Sequence, residues 1–287
     1  MIRVQRGNGA WLPLTVLDGE QETAADAAPS VALTGWDGAA VETVTAEAVD
    51  GGRYRALMSA VDQITANTAT WTYTVDSVAK TTVDRVEIVE GFYFELNDLR
   101  AMPDIDDTDA YSTADLGRAR QWAETKIDEA ITVPVLERFR TRSIPLEAVS
   151  FVLVGWGLSL RDPYARTLVG VTVDDTPVDL ETLTVRGRGV VTNTNVWPLG
   201  TEVTIAYTSG FSDFVPDDIR TAALIAARYW LLSTVGHSGI PDRTRSISTS
   251  EGTQTLSVAG QYSPIGIPDV DVVLNSYFDK IYVPGIA

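Results

Sequence analysis

The alternation of apolar and polar positions divides this chain into two regions with different predicted secondary structure. Residues 1–90 contain short runs in which apolar residues alternate with polar ones, and turn-forming residues separate these runs. In the run TWTYTV, Trp71, Tyr73 and Val75 share one face of a strand, and threonines share the other. Several strands at this spacing predict a β-sandwich of the immunoglobulin-like type over residues 1–90.

From Gly91 onward the apolar residues recur every three or four positions, which is the period of an α-helix. This spacing predicts four helices, at about 94–102, 112–131, 217–234 and 269–281. The chain therefore combines a β-rich N-terminal region with a helical remainder.

The second predicted helix begins at a capping-box variant formed by Ser112 and Asp115. Its spacing predicts one buried face and one solvent-facing face. The buried face consists of Leu116, Ala119, Ala123, Ile127 and Ala130, and the solvent-facing one carries charges that include Arg118, Glu124 and Asp128.

Alternating runs return between the second and third helices and predict a β insertion at about 137–208. A polar segment at 236–268 follows the third helix, and its alternating centre, RSISTSEGTQTLSV, predicts a hairpin. Segments of this length are usually functional or disordered, so we expect an arm that docks on a partner. The predicted fold class is α+β, with a β-sandwich domain at 1–90 followed by a helical domain at 91–287 that carries the insertion.

The third predicted helix is apolar nearly all the way round, apart from acidic residues in its first turn. A helix without a polar face is buried on every side. In a domain this small, one of those sides is expected to contact another subunit, with Leu224 and Trp230 as interface residues.

Three arginines alternate in the run ERFRTRS, so Arg138, Arg140 and Arg142 are predicted to project from one face of a strand. Such a row of guanidinium groups can pair with acidic groups of a neighbouring subunit or touch DNA. It can equally form a solvent-facing edge whose charge discourages pairing with further strands. Arg243 and Arg245, in the polar segment after the third helix, present the same alternatives.

Composition narrows the functions that these elements can serve. The 287 residues carry a formal charge of −17, which argues against a surface that grips duplex DNA, since phosphate binding needs clustered Lys and Arg. Cysteine is absent, and the single histidine, His237, is interpreted as a solvated loop residue. No catalytic residue, cofactor or metal site is therefore predicted. Without an apolar run of roughly 18 residues or a secretory leader, we expect folding in a cytoplasm and no membrane association.

Two clusters offer enzymatic or ligand-binding alternatives. Asp104, Asp106 and Asp107 lie close together and could serve a carboxylate-based glycan hydrolase, whereas a solvated acidic turn ahead of a helix is the simpler interpretation. Trp36 and Trp71 of the β region could bind a carbohydrate or a host surface, although burial in a core is the commoner fate of such residues.

The run VRGRGVV holds a G-x-G pattern at Gly187 and Gly189. A dinucleotide-binding loop needs a helix directly after it, and no helical spacing follows here. The two glycines are therefore predicted to form the turn of a hairpin.

Three longer segments follow one another in the second part of the chain. They are FYFELNDLRAMPDIDD…YSTADLGRARQWAETKIDEAI, VTIAYTSGFSDFVPDDIRTAALIAARYWLL and IPDRTRSISTSEGTQTLSVAG…GIPDVDVVLNSYF. This ordered set resembles the head-to-tail connector (adaptor) proteins of long-tailed bacteriophages, particularly those infecting actinobacteria. The resemblance covers residues 91–283, while residues 1–90 resemble the immunoglobulin-like domains that decorate phage structural proteins.

The resemblance implies a structural protein of the virion neck, assembled in the cytoplasm of the host bacterium. In that family a small helical subunit forms a twelve-fold ring beneath the portal and extends the DNA channel toward the tail. The implied partners are further copies of the chain, the portal protein and downstream stopper or tail proteins, with genomic DNA passing through the lumen without sequence-specific binding. The helices at 112–131 and 217–234 would form the subunit core, and the arm at 236–268 would reach the portal or an adjacent subunit.

Overall fold

Helices and strands both contribute to the fold, with about 24% of residues in helices and 41% in strands. The computed structural model describes residues 2–146, 153–154, 157–187, 189–193, 197–198, 200–234, 246–249, 252–255 and 264–281. Residue contacts divide the chain into two units, which we name the β unit (Met1–Gly91 and Glu137–Ser209) and the helical unit (Phe92–Leu136 and Gly210–Ala287). The mixture of helix and strand predicted from the sequence is confirmed.

The first part of the β unit consists of short strands between residues 2 and 89. In chain order they are β1 (Ile2–Gln5), β2 (Ala10–Thr15), β3 (Leu17–Asp18), β4 (Gln21–Glu22), β5 (Ser30–Thr34), β6 (Ala40–Thr45), β7 (Glu47–Asp50), β8 (Arg53–Met58), β9 (Ala66–Val75) and β10 (Val78–Val89). Five form a sheet in the order β1-β10-β9-β5-β6, in which β1 runs parallel to β10 and the other neighbours are antiparallel. A second sheet has the order β2-β8-β7, and β3 pairs with β4.

These two larger sheets share one apolar core, because alternate residues of most of their strands point into it, although β7 is exposed along its length. In β9, Trp71 and Val75 are buried, Tyr73 packs against the margin of the core and Thr72 is exposed. The predicted faces of this strand are therefore confirmed. The largest fully buried side chains of the core are Leu12, Leu33, Met58, Trp71 and Ile88.

The second part of the β unit contains two four-stranded sheets. Its strands are β11 (Arg138–Pro145), β12 (Leu153–Val154), β13 (Gly157–Ser159), β14 (Ala165–Val173), β15 (Thr176–Pro177), β16 (Leu183–Arg186), β17 (Val190–Asn193) and β18 (Glu202–Ser209). The sheet orders are β11-β18-β14-β15 and β12-β13-β17-β16, and a short 3₁₀ helix occupies Leu180–Thr182. β16 and β17 pair antiparallel on either side of Gly187 and Gly189, so the predicted hairpin is present.

Trp36 links the two parts of the β unit. It lies between β5 and β6 and packs against Phe139 of β11, with the ring centroids 6.4 Å apart. Gly170 of β14 approaches the indole so closely that a Cβ atom there would lie 2.2 Å from Cζ2 of Trp36. These contacts join residues 137–209 to the first 91 residues, whereas the sequence pattern assigned them to the helical domain as an insertion. Linear order placed the insertion between two helices, but side-chain packing decides which unit it belongs to.

The helical unit contains α1 (Leu96–Arg100), α2 (Thr113–Ile131), α3 (Asp217–Thr234) and α4 (Pro268–Ile281), and α2, α3 and α4 contact one another. Each bound lies within two residues of the predicted one. Ser112 and Asp115 cap α2 reciprocally, since the Ser112 hydroxyl accepts from the Asp115 N–H (3.2 Å) and the Asp115 carboxylate accepts from the Ser112 N–H (3.0 Å). Further along the chain, β19 (Ser246–Thr249) and β20 (Gly252–Thr255) form the predicted antiparallel hairpin.

The predicted solvent-facing position of Glu124 on α2 is wrong. Glu124 is 0% exposed, and its carboxylate accepts a hydrogen bond from the backbone N–H of Tyr93 (2.8 Å). The Tyr93 hydroxyl donates to the half-buried Asp128 and accepts from the Val135 N–H (3.1 Å). Buried backbone N–H groups need an acceptor, and α2 supplies one to the segment that precedes α1. Glu124 and Asp128 therefore anchor neighbouring chain segments.

Candidate functional site

The predicted arginine row lies on β11. One of its three arginines is buried in the interior, and the other two line a cleft. Strand alternation places Arg138, Arg140 and Arg142 on one face, as predicted. Arg138 is only 3% exposed, and its guanidinium donates to the carbonyl of Gly91 (2.8 Å). Arg140 and Arg142 are half-buried. The interpretation as a solvent-facing edge is therefore wrong for Arg138, because its cation hydrogen-bonds a carbonyl inside the fold.

Arg140 and Arg142 line a cleft of about 440 Å³ in the β unit. Arg85 of β10 and Arg161, which follows β13, contribute to the same cleft. The antiparallel register of β11 and β18 places Tyr207 opposite Arg140, so the phenol lines the cleft as well. We call these side chains, together with Asp162, the arginine cleft. Four guanidinium groups thus converge in a chain whose formal charge is −17.

The net charge of the arginine cleft also depends on Asp162 and on the protonation state of Tyr207. Asp162 is buried; its Oδ1 accepts from the Tyr164 N–H (3.1 Å), and its Oδ2 lies 3.8 Å from the Arg140 guanidinium. Burial raises the pKa of Tyr207 to about 12, and the charge of Asp162 adds to this shift while that of Arg140 opposes it. Tyr207 is therefore uncharged at neutral pH and adds no negative charge to the cleft.

Close backbone packing positions the turn that carries Arg161 and Asp162. Gly189 has a left-handed backbone conformation (φ +65°), and a Cβ atom there would lie 2.0 Å from the carbonyl oxygen of Asp162. The Leu160 N–H donates to the Gly189 carbonyl (2.8 Å), and the Arg142 guanidinium donates to the Leu160 carbonyl. The β16–β17 hairpin thus supports one wall of the cleft.

Sequence reasoning identified two of the four arginines in the cleft and missed the other residues. Arg85, Arg161 and Tyr207 come from separate strands and turns, and no periodicity connects their positions. They meet only because β10, β11 and β18 are brought together by pairing and packing. The charged pair Arg161-Asp162, directly after the apolar run of β13, is the sequence feature that marks this turn.

A second candidate surface lies on α2 and α3 in the helical unit. The packed face of α3 consists of Ile219, Ala222, Ala223, Ala226, Ala227 and Leu231. The predicted interface residues Leu224 and Trp230 are half-buried, and Tyr229 is 49% exposed. Trp230 and Tyr229 line a cavity of about 440 Å³ with Trp122 of α2 and the last turn of α3. We call Trp122, Tyr229 and Trp230 the aromatic surface, which stays accessible at the C-terminal end of α3, beyond the packed residues.

The acidic segment before α2 is held by arginines and by its own backbone. Asp104 accepts from Arg228 (2.6 Å), and Arg100 donates to the carbonyl of Asp107 (3.2 Å). The Asp107 side chain in turn accepts from the N–H of Asp109 (2.9 Å). No group of three acidic or histidine side chains in the described ranges is arranged to hold a metal ion. The partners of Asp104 and Asp107 favour the interpretation as an acidic turn.

The two tryptophans considered for carbohydrate binding are both engaged by protein. Trp71 is fully buried in the core between the first two sheets. Trp36 is half-buried and packs on Phe139 and Gly170. Aromatic platforms for sugars need an open ring face, and these contacts favour the core interpretation.

Several predicted features lie outside the residues that the structure describes. They are Arg243, Arg245, His237 and, apart from the β19–β20 hairpin and residues 264–268, the arm predicted at 236–268. Within the described part of the chain, no helix has the length and apolar content needed to span a bilayer.

Comparison with protein families and with curated proteins identifies no relative of this chain. A scan against models of protein families finds none that matches this sequence. A search of curated proteins also finds no match. Function is therefore inferred from the residues and contacts of the chain itself.

Proposed function

We propose that this chain is a structural virion protein, a head-to-tail adaptor whose copies form a ring below the portal of a long-tailed phage. The observation that carries the proposal is the aromatic surface, where Tyr229 and Trp230 remain accessible on α3. Exposed clusters of aromatic residues are typical of protein–protein contacts, since Trp and Tyr dominate the binding energy of interfaces.

The arrangement suits a ring because a cyclic assembly joins two different surfaces of each subunit. The aromatic surface provides one of them, and the half-buried Leu224 lies on a different side of the same helix. Burial of Trp230 against a neighbouring copy would contribute about 2 kcal/mol or more to association. A ring of this kind would leave the helices α2, α3 and α4 as the subunit core.

The finer fold assignment belongs to the same proposal. We assign residues 1–90 to an immunoglobulin-like sandwich, supported by a five-stranded and a three-stranded sheet around one core. The helices of the helical unit correspond to the connector core, supported by the contacts among α2, α3 and α4. The arm predicted at 236–268 would reach the portal or an adjacent subunit, and stopper or tail proteins would be further partners of the ring.

The charge of the chain is compatible with a conduit for DNA. A formal charge of −17, from 39 acidic and 22 basic residues, gives little support for gripping phosphates. A genome that must slide through a ring benefits from weak contacts with its wall. No catalytic step is assigned to the chain.

The test is imaging of the full-length protein mixed with portal rings of the same phage. Two-dimensional class averages should show a second ring on the portal for the native chain. Trp230→Ala should abolish or strongly reduce this ring, whereas Trp11→Ala, which removes an exposed tryptophan of β2, should leave it intact. A native chain that binds portal only as isolated single copies would overturn the proposal.

A further inference from the structure

The arginine cleft differs from the rest of the described chain, where most arginines have acidic partners. Acidic residues outnumber basic ones 39 to 22, and exposed arginines such as Arg6 and Arg53 form ion pairs with Glu90 (2.9 Å) and Glu22 (2.8 Å). In the helical unit, Arg220 pairs with Asp98 (2.8 Å) and Arg228 with Asp104 (2.6 Å). At least eight of the twelve described arginines outside the cleft thus pair with a carboxylate.

Three arginines of the cleft have no ion pair with any described carboxylate. Arg85 and Arg161 are exposed, and the Arg142 guanidinium donates to a backbone carbonyl. The buried Asp162 lies beside Arg140, at 3.8 Å, so the single carboxylate lining the cleft is already engaged. The cleft therefore holds an excess of positive charge that the described residues leave unbalanced.

Guanidinium groups present planar pairs of N–H donors that match the two oxygens of a carboxylate. The phenol of Tyr207, which also lines the cleft, is uncharged. Its volume of about 440 Å³ admits a few side chains of a peptide, whereas a duplex would require a long row of cations across the surface. The formal charge of −17 also repels a polyanion that approaches over a wide area.

We propose that the arginine cleft binds the carboxylate side chains of an acidic segment on another protein chain. Arg85, Arg142 and Arg161 hold the carboxylates, and Arg140 and Asp162 keep the cleft in shape. This site is in the β unit and does not depend on ring formation through the aromatic surface, so either proposal can fail without the other.

The experiment uses the full-length protein and a fluorescein-labelled hexaglutamate peptide, with binding followed by fluorescence anisotropy at low ionic strength. We expect saturable binding to the native chain. Arg85→Glu and Arg161→Glu should each weaken it roughly fivefold to tenfold, and the double variant should abolish it. Arg186→Glu is the matched control, because Arg186 on β16 is an exposed arginine outside the cleft, and it should change the affinity less than about twofold.

Unlabelled duplex DNA and inorganic phosphate serve as competitors. If duplex DNA displaces the peptide as well as unlabelled hexaglutamate does, the cleft is a phosphate site and the proposal is overturned. It is also overturned if the native chain does not bind the peptide, or if Arg186→Glu weakens binding as much as the cleft variants do. Circular dichroism melts of each variant verify that the fold is retained.

Discussion

The β unit gathers unbalanced arginines in a cleft and buries Trp71, whereas in the helical unit Arg220 and Arg228 pair with aspartates and the aromatic surface is accessible. One unit therefore presents charge, and the other presents apolar aromatic surface. Salt screens the interaction between exposed charges, with a screening length of about 8–10 Å at physiological ionic strength. The free energy gained by burying apolar surface does not depend on this screening. The two surfaces should consequently respond to different perturbations, which makes the contrast testable.

The largest effect is expected from a substitution that disrupts the backbone packing behind the arginine cleft. Gly189→Ala would place a Cβ atom 2.0 Å from the Asp162 carbonyl oxygen and require a left-handed alanine. We expect the free energy of unfolding of the β unit to fall by about 2–4 kcal/mol, with no change in amide exchange protection of α2 and α3. Hydrogen exchange with mass spectrometry measures both units in one sample.

Gly187→Ala is the control for this variant, because no atom lies within 4 Å of a Cβ built at that neighbouring turn position. It should leave exchange protection in both units almost unchanged. Equal effects of the two substitutions would show that the close approach of Gly189 to Asp162 is unimportant.

A somewhat smaller effect is expected in the helical unit from Glu124→Ala. The substitution leaves the buried N–H of Tyr93 without its carboxylate acceptor, which costs about 1–3 kcal/mol of unfolding free energy. Glu129→Ala removes an exposed acid of the same helix and should cost less than about 0.5 kcal/mol. Chemical denaturation followed by tryptophan fluorescence compares them, and similar losses would contradict an anchoring role for Glu124.

The two surfaces should also separate in their salt dependence. A rise in ionic strength from about 0.03 M to 0.3 M should weaken hexaglutamate binding to the arginine cleft by roughly fivefold to tenfold. Ring formation through the aromatic surface should change by less than about twofold, because burial of Trp230 is insensitive to screening. Anisotropy and particle imaging at both ionic strengths check this, and matching salt dependences would remove the distinction between the surfaces.

The smallest effect concerns one tyrosine in each unit at alkaline pH. Burial raises the pKa of both Tyr207 and Tyr277 from 10.0 to about 12, and for Tyr277 a hydrogen bond to Asp218 (2.8 Å) adds to the shift. Since both folded pKa values lie above the unfolded one, each phenol's contribution to stability is complete below pH 10 and is lost between about pH 10 and 12.

The ultraviolet absorbance of phenolate should therefore rise in a late step near pH 12, above the ordinary tyrosine pKa. Tyr207→Phe and Tyr277→Phe should each lower that step by the absorbance of one tyrosine. The two decreases should be similar in size although the tyrosines belong to different units. If all tyrosines ionised together near pH 10 before unfolding, the assigned environments of Tyr207 and Tyr277 would be wrong.

Contacts between residues close in sequence made much of the secondary structure predictable. Alternation in TWTYTV identified the buried face of β9, and Ser112 with Asp115 marked the start of α2. The G-x-G pattern indicated the turn between β16 and β17. Each of these features depends on periodicity or on hydrogen bonds within a few residues, so the necessary information is local.

Contacts between residues far apart in sequence determined the rest. The position of Trp36 against Gly170 assigned residues 137–209 to the β unit, although they lie between two helices in the chain. Glu124 is buried because Tyr93, 31 residues away, needs an acceptor for its N–H. The arginine cleft exists because strand pairing and packing bring Arg85 and Arg161 to the row on β11. Hydropathy patterns record which face of an element is covered, but they carry no information about which distant residue covers it.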